Sequence, residues 1–326
     1  MHLIGRRNSL LTILAASEFM FLGAPGAKAA PAMELVVEEL PATVKTSETL
    51  DIVARDTSWW VPTQATTWQI QLSGTIYQNV YASAIEIDAD TSTATVKALK
   101  KRGLKVIAYL SAGSWENWRS DAAAFPSYVK GNALDGWPGE QWLDVRRIDE
   151  LRKIMKNRVL AAKNKGFDGV DWDNVDGYTQ DSGFDISYAD QIAYNKMLSQ
   201  ITHNLGMTVA LKNDLEQVQD LVKYFDYAVN EQCGYYKECD MLKPFISAGK
   251  AVVGLEYPKQ AGDTRTQAQV ISYAKKQPKI YTLIKKLDLG SYGIIASSGK
   301  SVLLTAGSSK ASKTKTKTKA KVKIPM

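Results

Sequence analysis

The chain has 326 residues, of which 45% are apolar and 23% are charged, and its formal net charge is +7. This length can bury a large core, as one α/β domain or as two smaller ones, and the composition is ordinary for a globular protein. The positive charge does not indicate a nucleic-acid partner. Seven lysines and no acid lie in residues 308–326, and the first 30 residues carry a net +2, so the remaining body is slightly acidic, at −2.

The N-terminus has the pattern of a secretory signal. Arg6 and Arg7 precede a mostly apolar run from Leu10 to Leu22, and the small residues at 27–29 suit cleavage. We therefore predict a signal peptide over 1–29, followed by a linker or pro-segment over 30–55, and a secreted, extracellular protein. The apolar run is too short and too interrupted for a transmembrane helix, and no later segment is long enough, so we expect no membrane span.

Cys233 and Cys239 are the two cysteines of the chain. In an exported protein this pair predicts one local disulfide, with two free thiols as the less favoured alternative. Beyond the predicted signal peptide the chain has a single histidine, His203, so the cysteines cannot be completed into a zinc site. We expect no metal site and no cofactor.

From Trp59 onward, strand-like and helix-like segments alternate. The strand-like segments are 68–74, 81–88, 105–113, the acid-rich stretch 166–178, 208–214, 226–232, 251–257 and 279–286, with 292–297 as a rival for the last place. The helical segments are 91–102, 148–165, 188–205, 215–224, 241–249 and 266–276. A long connection rich in tryptophan follows the third strand, and loops of that length are usually functional.

This alternation predicts a parallel sheet with right-handed crossovers. With close to eight units, a (β/α)8 TIM-type barrel over residues 56–300 is favoured over an open, doubly wound α/β sheet. No Gly-x-Gly-x-x-Gly motif follows the first strand, which also disfavours a dinucleotide fold. Residues 301–326 are rich in lysine and threonine and poor in apolar residues, so we predict a basic, disordered tail.

Polar side chains gather where the predicted strands end. Asp171 and Asp173 lie on one side of their strand, because side chains alternate with a period of two. In a barrel the C-terminal ends of the strands form the active face. Ion pairs closing the barrel mouth would explain any one of these residues, but not the whole set. The other members are Ser111, Glu116, Lys212, Asn213, Asp214, Glu231 and Glu256.

The residue types narrow the chemistry. His203 lies late in a predicted helix and no Gly-x-Ser-x-Gly motif is present, which disfavours a Ser-His-Asp triad. Asp171, Asp173 and Asp176 resemble a calcium loop only loosely, because the closing glutamate is missing. Paired carboxylates remain, and their commonest use is glycoside hydrolysis. All eight tryptophans lie between residues 59 and 172, and about half of the aromatic candidates for sugar stacking are expected to be packing residues instead. Those candidates are Trp115, Trp118, Trp137, Trp142, Trp172, Tyr109, Tyr178, Tyr235, Tyr236 and Tyr257.

Five motifs occur in register between Trp59 and Ser291. They are WPGEQWLDVR at 137–146, DGVDWDNVDGY at 168–178, LKN at 211–213, EQCGYYKEC at 231–239 and EY at 256–257. Together they resemble glycoside hydrolase family 114, the endo-α-1,4-polygalactosaminidases. The resemblance implies a (β/α)8 barrel that cuts α-1,4-linked galactosamine polymers internally and with retention of configuration.

The resemblance also implies roles for single residues. The family's catalytic acids correspond to Asp173 and Glu231, with Asp173 as nucleophile and Glu231 as general acid/base, an order that rests on analogy with other barrel glycosidases and is open to reversal. Cys233 and Cys239 match the family's paired cysteines. A cationic galactosamine polymer would be attracted by the acids around the site. The expected substrate-binding residues are Tyr109, Trp115, Glu116, Asp171, Trp172, Asp176, Tyr178, Lys212, Asn213 and Glu256.

Three departures and two alternatives accompany this interpretation. Trp172 stands where fungal members often have proline, and Phe167 replaces a frequent cysteine. The Lys-rich tail is outside the family pattern; it is a candidate to contact acidic wall polymers or phospholipid headgroups, although a solubilising role is the simpler explanation. A carbohydrate-binding barrel without catalysis, and a hydrolase of another α-linked glycan, are the competing functions.

Overall fold

The computed structural model describes residues 59–304. The predicted signal peptide, the predicted linker and the tail beyond Leu304 lie outside the described residues. The first four residues predicted as tail belong to the folded body: Leu303 forms a β-bridge with Val80, and the Leu304 amide donates to the Asn79 carbonyl at 2.9 Å. Their backbone groups are paired, so the body extends past the boundary expected at residue 300.

Eight parallel strands follow one another in chain order around a curled ten-stranded sheet. The first and the last of these strands lie next to each other, and the Gln69 side chain donates to the Ser291 carbonyl at 2.9 Å across the same seam. The predicted TIM-type barrel is therefore confirmed. The parallel strands are β1 (Trp68–Gln71), β2 (Ala84–Asp88), β3 (Lys105–Ser111), β7 (Gly169–Asp173), β8 (Thr208–Lys212), β9 (Tyr227–Glu231), β10 (Val252–Glu256) and β11 (Tyr281–Ile284).

The remaining strands show which segment forms the eighth parallel strand and what the long connection after β3 contains. The segment 279–286 supplies the eighth parallel strand, β11, whereas its rival contains the short β12 (Ile294–Ile295), which runs antiparallel and pairs with β13 (Lys300–Ser301). The long connection after β3 is not a plain loop, because it contains a three-stranded antiparallel sheet. Its strands are too short for a visible alternation in sequence: β4 (Ser114–Glu116), β5 (Lys130–Ala133) and β6 (Glu140–Leu143).

Helices cover the outside of the sheet, and their ends follow the capping signals of the sequence. The longest helix ends at Gly166, which adopts a left-handed conformation (φ 99°) that favours glycine. Another begins with a reciprocal capping box between Ser187 and Asp190. No helix within residues 59–304 is long and apolar enough to cross a bilayer. The helices are α1 (Thr93–Lys101), α2 (Ile148–Lys165), α3 (Tyr188–His203), α4 (Val218–Leu221), α5 (Cys233–Tyr236), α6 (Lys243–Ser247) and α7 (Gln267–Ala274).

The strands present alternate residues to two cores. On β7, Val170 and Trp172 face outward into the core between sheet and helices, whereas Asp171 points into the barrel. Inside the barrel, Trp68 stacks on Tyr227 with ring centroids 5.0 Å apart. Packed side chains thus close the barrel toward the N-terminal ends of the strands, and polar groups occupy their C-terminal ends.

Candidate active site

Asp173 and Glu231 end the strands β7 and β9, and the strand between them, β8, ends in Lys212. The Lys212 ammonium lies 2.9 Å from Asp173 Oδ1 and 3.5 Å from Glu231 Oε2. One cation therefore bridges the two predicted catalytic acids. Their side chains are 17% and 28% exposed, so both reach the opening at this end of the barrel.

Each acid has its own tyrosine. The Tyr109 hydroxyl donates to Asp173 Oδ2 at 2.7 Å, and the Tyr257 hydroxyl donates to Glu231 Oε1. The sequence predicts Tyr257 as a stacking residue, but the residue is buried and its hydroxyl contacts Glu231. With Lys212 on one oxygen and a tyrosine on the other, each carboxyl group is fixed in orientation.

The electrostatics favour an ionised Asp173. Burial would raise its pKa, but the Lys212 charge and the hydrogen bonds from Tyr109 and Lys212 outweigh it and hold the pKa below its usual value. Burial likewise disfavours the charged form of Lys212, yet the surrounding carboxylates raise its pKa well above the usual value. The two groups thus form an ion pair whose carboxylate is available as a nucleophile.

A second pair of acids lies beneath this centre, inside the barrel. Asp171 and Glu86 are almost completely buried, at 0% and 2% exposure, and their carboxyl groups interact with each other. Burial raises the pKa of Asp171 to about 7, and burial together with the Asp171 charge raises that of Glu86. Neither Asp171 oxygen has a conventional donor within the described residues. A proton held between the two carboxyls would satisfy one oxygen of each and would avoid two adjacent negative charges.

The turn after Asp173 depends on close backbone packing. Asn174 adopts a left-handed conformation (φ 59°), and its side-chain amide donates to Ser111 Oγ at 3.0 Å and Ser114 Oγ at 3.2 Å. Gly113 passes so close that a Cβ there would lie 1.5 Å from the Asn174 carbonyl oxygen. Glycine is therefore required at this position to let β3 and β7 meet behind Asp173.

The loop after Glu231 is tied down by amides and by a disulfide. The Asn213 side chain accepts from the Glu231 amide at 2.9 Å, and the Asn230 side chain accepts from the Cys233 amide at 3.1 Å. Cys233 and Cys239 form the predicted disulfide. These contacts fix the backbone on both sides of Glu231.

Several residues predicted to bind substrate have other partners. Trp172 is fully buried against α3, where its indole donates to Thr202 Oγ1 at 3.1 Å, so it has no surface left for a sugar. Glu116 forms a buried, bidentate ion pair with Arg119. Glu256 accepts from the Gly234 amide at 2.8 Å and pairs with Arg265. These placements correct the expectation of direct contact, because the polar atoms or the surface of each side chain are already used.

The aromatic candidates near the opening are better placed. Tyr178 is half-buried; its hydroxyl donates to Glu216 Oε2 at 3.3 Å, and its ring packs edge-on against Tyr188. Asp176, also half-buried, accepts from the Gln180 side chain at 3.4 Å. Trp115 is half-buried beneath the Lys130 ammonium, which lies 4.3 Å from the ring centroid. Sugar contact by these three residues stays a prediction.

Sequence reasoning missed two buried acids. Glu86 lies inside an apolar strand with no motif around it, and only the fold brings it to Asp171. Glu140 accepts from Ser114 Oγ at 2.6 Å, and burial raises its pKa to about 7. Glu140 lies inside one of the quoted motifs, which was a usable signal. No group of three or more His, Cys, Asp or Glu side chains within residues 59–304 is arranged to hold a metal ion.

Comparisons with known proteins identify the family of this chain. Residues 49–301 match the model of glycoside-hydrolase family GH114. The structure of Ega3 from Aspergillus fumigatus, solved in complex with galactosamine, is 36% identical, with 72% of this chain and 97% of that chain covered and a TM-score of 0.68. The glycoside hydrolase domain of PelA from Pseudomonas aeruginosa is 14% identical, with a TM-score of 0.54 over 70% of this chain and 97% of that one, and supports the fold alone.

No curated protein sequence matches the chain. The family model nevertheless covers most of its length, and the Ega3 likeness extends over nearly all of that structure. The chain is a glycoside hydrolase and belongs to family GH114.

Proposed function

We propose that this protein is a secreted hydrolase that cleaves internal α-1,4 bonds in galactosamine-containing polysaccharide by a retaining mechanism. The observation that carries the proposal is the bridge by which Lys212 joins Asp173 and Glu231 at the mouth of the barrel. Galactosamine in the related Ega3 structure supports the substrate class. The signal-like pattern over residues 1–29 supports secretion.

Asp173 and Glu231 divide the chemistry between them. The Asp173 carboxylate attacks the anomeric carbon while Glu231 gives its proton to the departing oxygen, which leaves a covalent glycosyl-Asp173 ester. In the second half, Glu231 takes a proton from water, the water oxygen attacks the anomeric carbon, and Asp173 departs as a carboxylate. Both residues are then restored.

Lys212 keeps the charge balanced through both halves. Before attack its ammonium pairs with the Asp173 carboxylate at 2.9 Å. Ester formation removes that negative charge and at the same time creates a carboxylate on Glu231, which lies 3.5 Å from the same ammonium. Because the cation serves whichever acid is ionised, neither state leaves an uncompensated charge in the pocket.

The spacing of the acids supports retention. The two oxygens held by Lys212 can be no farther apart than the sum of their distances to its ammonium. This upper limit is just below the ~6.5–9.5 Å between the carboxyl groups of inverting enzymes, which need room for a water. It is compatible with the ~5–5.5 Å of retaining enzymes. This spacing supports a mechanism in which Asp173 attacks the sugar directly.

Charge around the opening suits a cationic polymer. Asp176 is half-buried and Glu216 exposed, and both add negative potential near Tyr178. Unacetylated galactosamine units carry an ammonium, so this rim would attract them and would favour them over acetylated units.

The experiment is hydrolysis of galactosaminogalactan, acetylated and deacetylated, by the purified protein and by Asp173→Asn and Glu231→Gln. We expect short oligomers from the deacetylated polymer and a loss of about 10³-fold or more in each variant. Binding without product release would favour a non-catalytic carbohydrate-binding barrel. Release from a different α-linked glycan alone would favour another hydrolase of the same fold, and full activity of both variants would remove the site assignment.

A further inference from the structure

Glu140 is a buried carboxyl group that the proposed mechanism does not use, and it lies inside the WPGEQWLDVR motif. A tight turn precedes it, in which the Glu140 amide donates to the Trp137 carbonyl at 3.1 Å. Pro138 and Gly139 form the centre of this turn, and Gly139 has φ 96°, a conformation that favours glycine. The Pro-Gly pair therefore places Glu140 at the first position of β6.

Glu140 ends a chain of hydrogen bonds that begins behind Asp173. The Ser114 hydroxyl donates to Glu140 Oε2 at 2.6 Å. Ser111 Oγ lies 2.6 Å from Ser114 Oγ and also accepts from the Ser114 amide at 3.1 Å. Both hydroxyl oxygens accept from the Asn174 side-chain amide. The two serines have no exposed surface, so bulk water does not reach their hydroxyls.

The donors and acceptors of this chain balance only if Glu140 accepts. A hydroxyl group has one hydrogen to donate and two lone pairs that accept. Ser111 Oγ accepts from Asn174 and from the Ser114 amide, so its own hydrogen points to Ser114 Oγ. Ser114 Oγ accepts that hydrogen and one from Asn174, so its own hydrogen points to Glu140. A donor in place of the Glu140 oxygen would reverse the Ser114 hydroxyl and take an acceptor away from Asn174.

The chain reaches Asp173 through the turn that follows it. Asn174 has φ 59°, and a residue other than glycine keeps this left-handed conformation only where its surroundings hold it. The two serines supply that hold on the Asn174 side chain. The backbone N–H of Asn174 forms a hydrogen bond that lowers the pKa of Asp173. The orientation of this turn therefore affects the charge and the direction of the Asp173 carboxylate.

We propose that Glu140 is a positioning residue, which orients the Asp173 carboxylate through the buried serine pair and the Asn174 turn. This role rests on the proposed function, in which Asp173 is the nucleophile. Glu140 acts in it as a hydrogen-bond acceptor, so the charge of its carboxylate is not required. The charged side chains that act most strongly on Glu140 are Glu116, Asp173 and Arg119. An experiment must therefore separate the loss of the acceptor from the loss of the charge.

Four variants of the full chain make this separation. Glu140→Leu removes the acceptor and the charge, whereas Glu140→Gln keeps an acceptor oxygen and removes only the charge. Ser114→Ala breaks the chain of hydrogen bonds and leaves Glu140 in place. The matched control is Glu116→Gln. Glu116 lies opposite Glu140 in the β4–β6 register and is also buried, but it pairs with Arg119 instead of the serines. The control thus disturbs the same small sheet without changing the partners of Asn174.

Two measurements report on Asp173. One is kcat/KM for an aryl galactosaminide as a function of pH, and the other is the Asp173 pKa from the chemical shift of its carboxyl carbon, which needs no substrate. Urea denaturation of each variant records the loss of stability. If the wild type hydrolyses no galactosaminide, the proposed function fails, while the chemical shift still tests the role of Glu140.

We expect kcat/KM to fall about tenfold or more in Glu140→Leu and in Ser114→Ala, and to stay within about threefold of wild type in Glu140→Gln. The Asp173 pKa, and with it the acidic limb, should be higher in Glu140→Leu than in Glu140→Gln, because both lack the charge and only one keeps the acceptor. Ser114→Ala should raise this pKa above that of wild type, and it decides the outcome if Glu140→Leu does not fold. Glu116→Gln should lose stability without this rise. The proposal is overturned by an Asp173 pKa that is equal in the two Glu140 variants and unchanged in Ser114→Ala, or by a rise of the same size in the control.

Discussion

The Lys212 ammonium and the Asp173 carboxylate form a 2.9 Å ion pair at the C-terminal edge of neighbouring strands. Lys212 is 6% exposed, so water screens the pair little, and its second contact is Glu231 at 3.5 Å. One cation thus favours the ionised form of the proposed nucleophile, Asp173, and contacts the proposed acid/base, Glu231.

Replacing Lys212 by methionine should lower kcat/KM by about 10²–10³-fold. The acidic limb of the pH–rate profile should also move to higher pH, because burial then raises the pKa of Asp173 without the opposing cation. Lys285→Met is the matched control. Lys285 is equally buried at the end of β11 but donates to the Gly290 carbonyl at 2.8 Å, so its loss should reduce stability and leave the acidic limb in place. Equal movement of the limb in both variants would contradict the role of Lys212.

Substrates with different leaving groups should distinguish the effects of Tyr109 and Tyr257 on activity. Tyr109→Phe removes a hydrogen bond to Asp173, the proposed nucleophile, so its activity loss, about tenfold, should be similar for polymer and for an aryl galactosaminide. Tyr257→Phe removes a hydrogen bond to Glu231, the proposed proton donor, so its activity loss should be large on polymer. The loss should shrink on an aryl substrate, whose departing oxygen needs little protonation. The measurement is kcat/KM of each variant on both substrates. The reverse pattern would exchange the roles of Asp173 and Glu231.

The buried Asp171 carboxyl should lower the free energy of unfolding at neutral pH. The pKa of Asp171 in the folded protein is about 7, above the usual ~3.9, so the folded protein holds this proton more tightly than the unfolded chain. The stabilisation that results is complete below about pH 4 and is lost as the pH rises to 7. Asp171→Asn removes this titration. Its free energy of unfolding relative to wild type should therefore rise between pH 4.5 and 7.5, by about 2–4 kcal/mol. Denaturant melts at the two pH values measure it, and an identical difference at both would show that the buried pair does not titrate.

Gly113 and Gly177 form a matched pair of glycines on either side of the Asp173 turn. Gly113→Ala would place a methyl group against the Asn174 backbone, so we expect a loss of about 3 kcal/mol or more and of most activity. At Gly177 the nearest atom to an added Cβ is 3.6 Å away, so alanine should change stability by no more than about 1 kcal/mol. Urea denaturation compares the two. A tolerated alanine at 113 would mean that the turn packs less closely than described.

Periodicity predicted much of the fold. The pattern over 148–165 gave the bounds of α2, since an amphipathic run closed by Gly166 carries both its register and its end. Alternation placed Asp171 and Asp173 on one side of β7, which is how they are found. Acids at successive strand ends then meet, because parallel strands bring their carboxyl ends to one edge.

Packing between distant segments was not predictable in the same way. Glu86 is a lone acid in the sequence, and only the closed barrel brings it to Asp171. Trp172 is an aromatic residue whose position in the alternation directs it toward α3 and away from the opening. Arg119 and Arg265, which pair with Glu116 and Glu256, likewise lie on loops whose paths have no sequence period. Residue type indicated the chemistry, while side-chain direction needed the structure.

Mass spectrometry of a trapped intermediate tests the central claim most directly. Glu231→Gln lacks the base for the second step, so with an aryl galactosaminide it should accumulate the covalent ester. We expect the mass of one galactosaminyl unit on the peptide that contains Asp173. An adduct on another residue, or turnover of the aryl substrate with no adduct and with inversion at the anomeric carbon, would contradict the account.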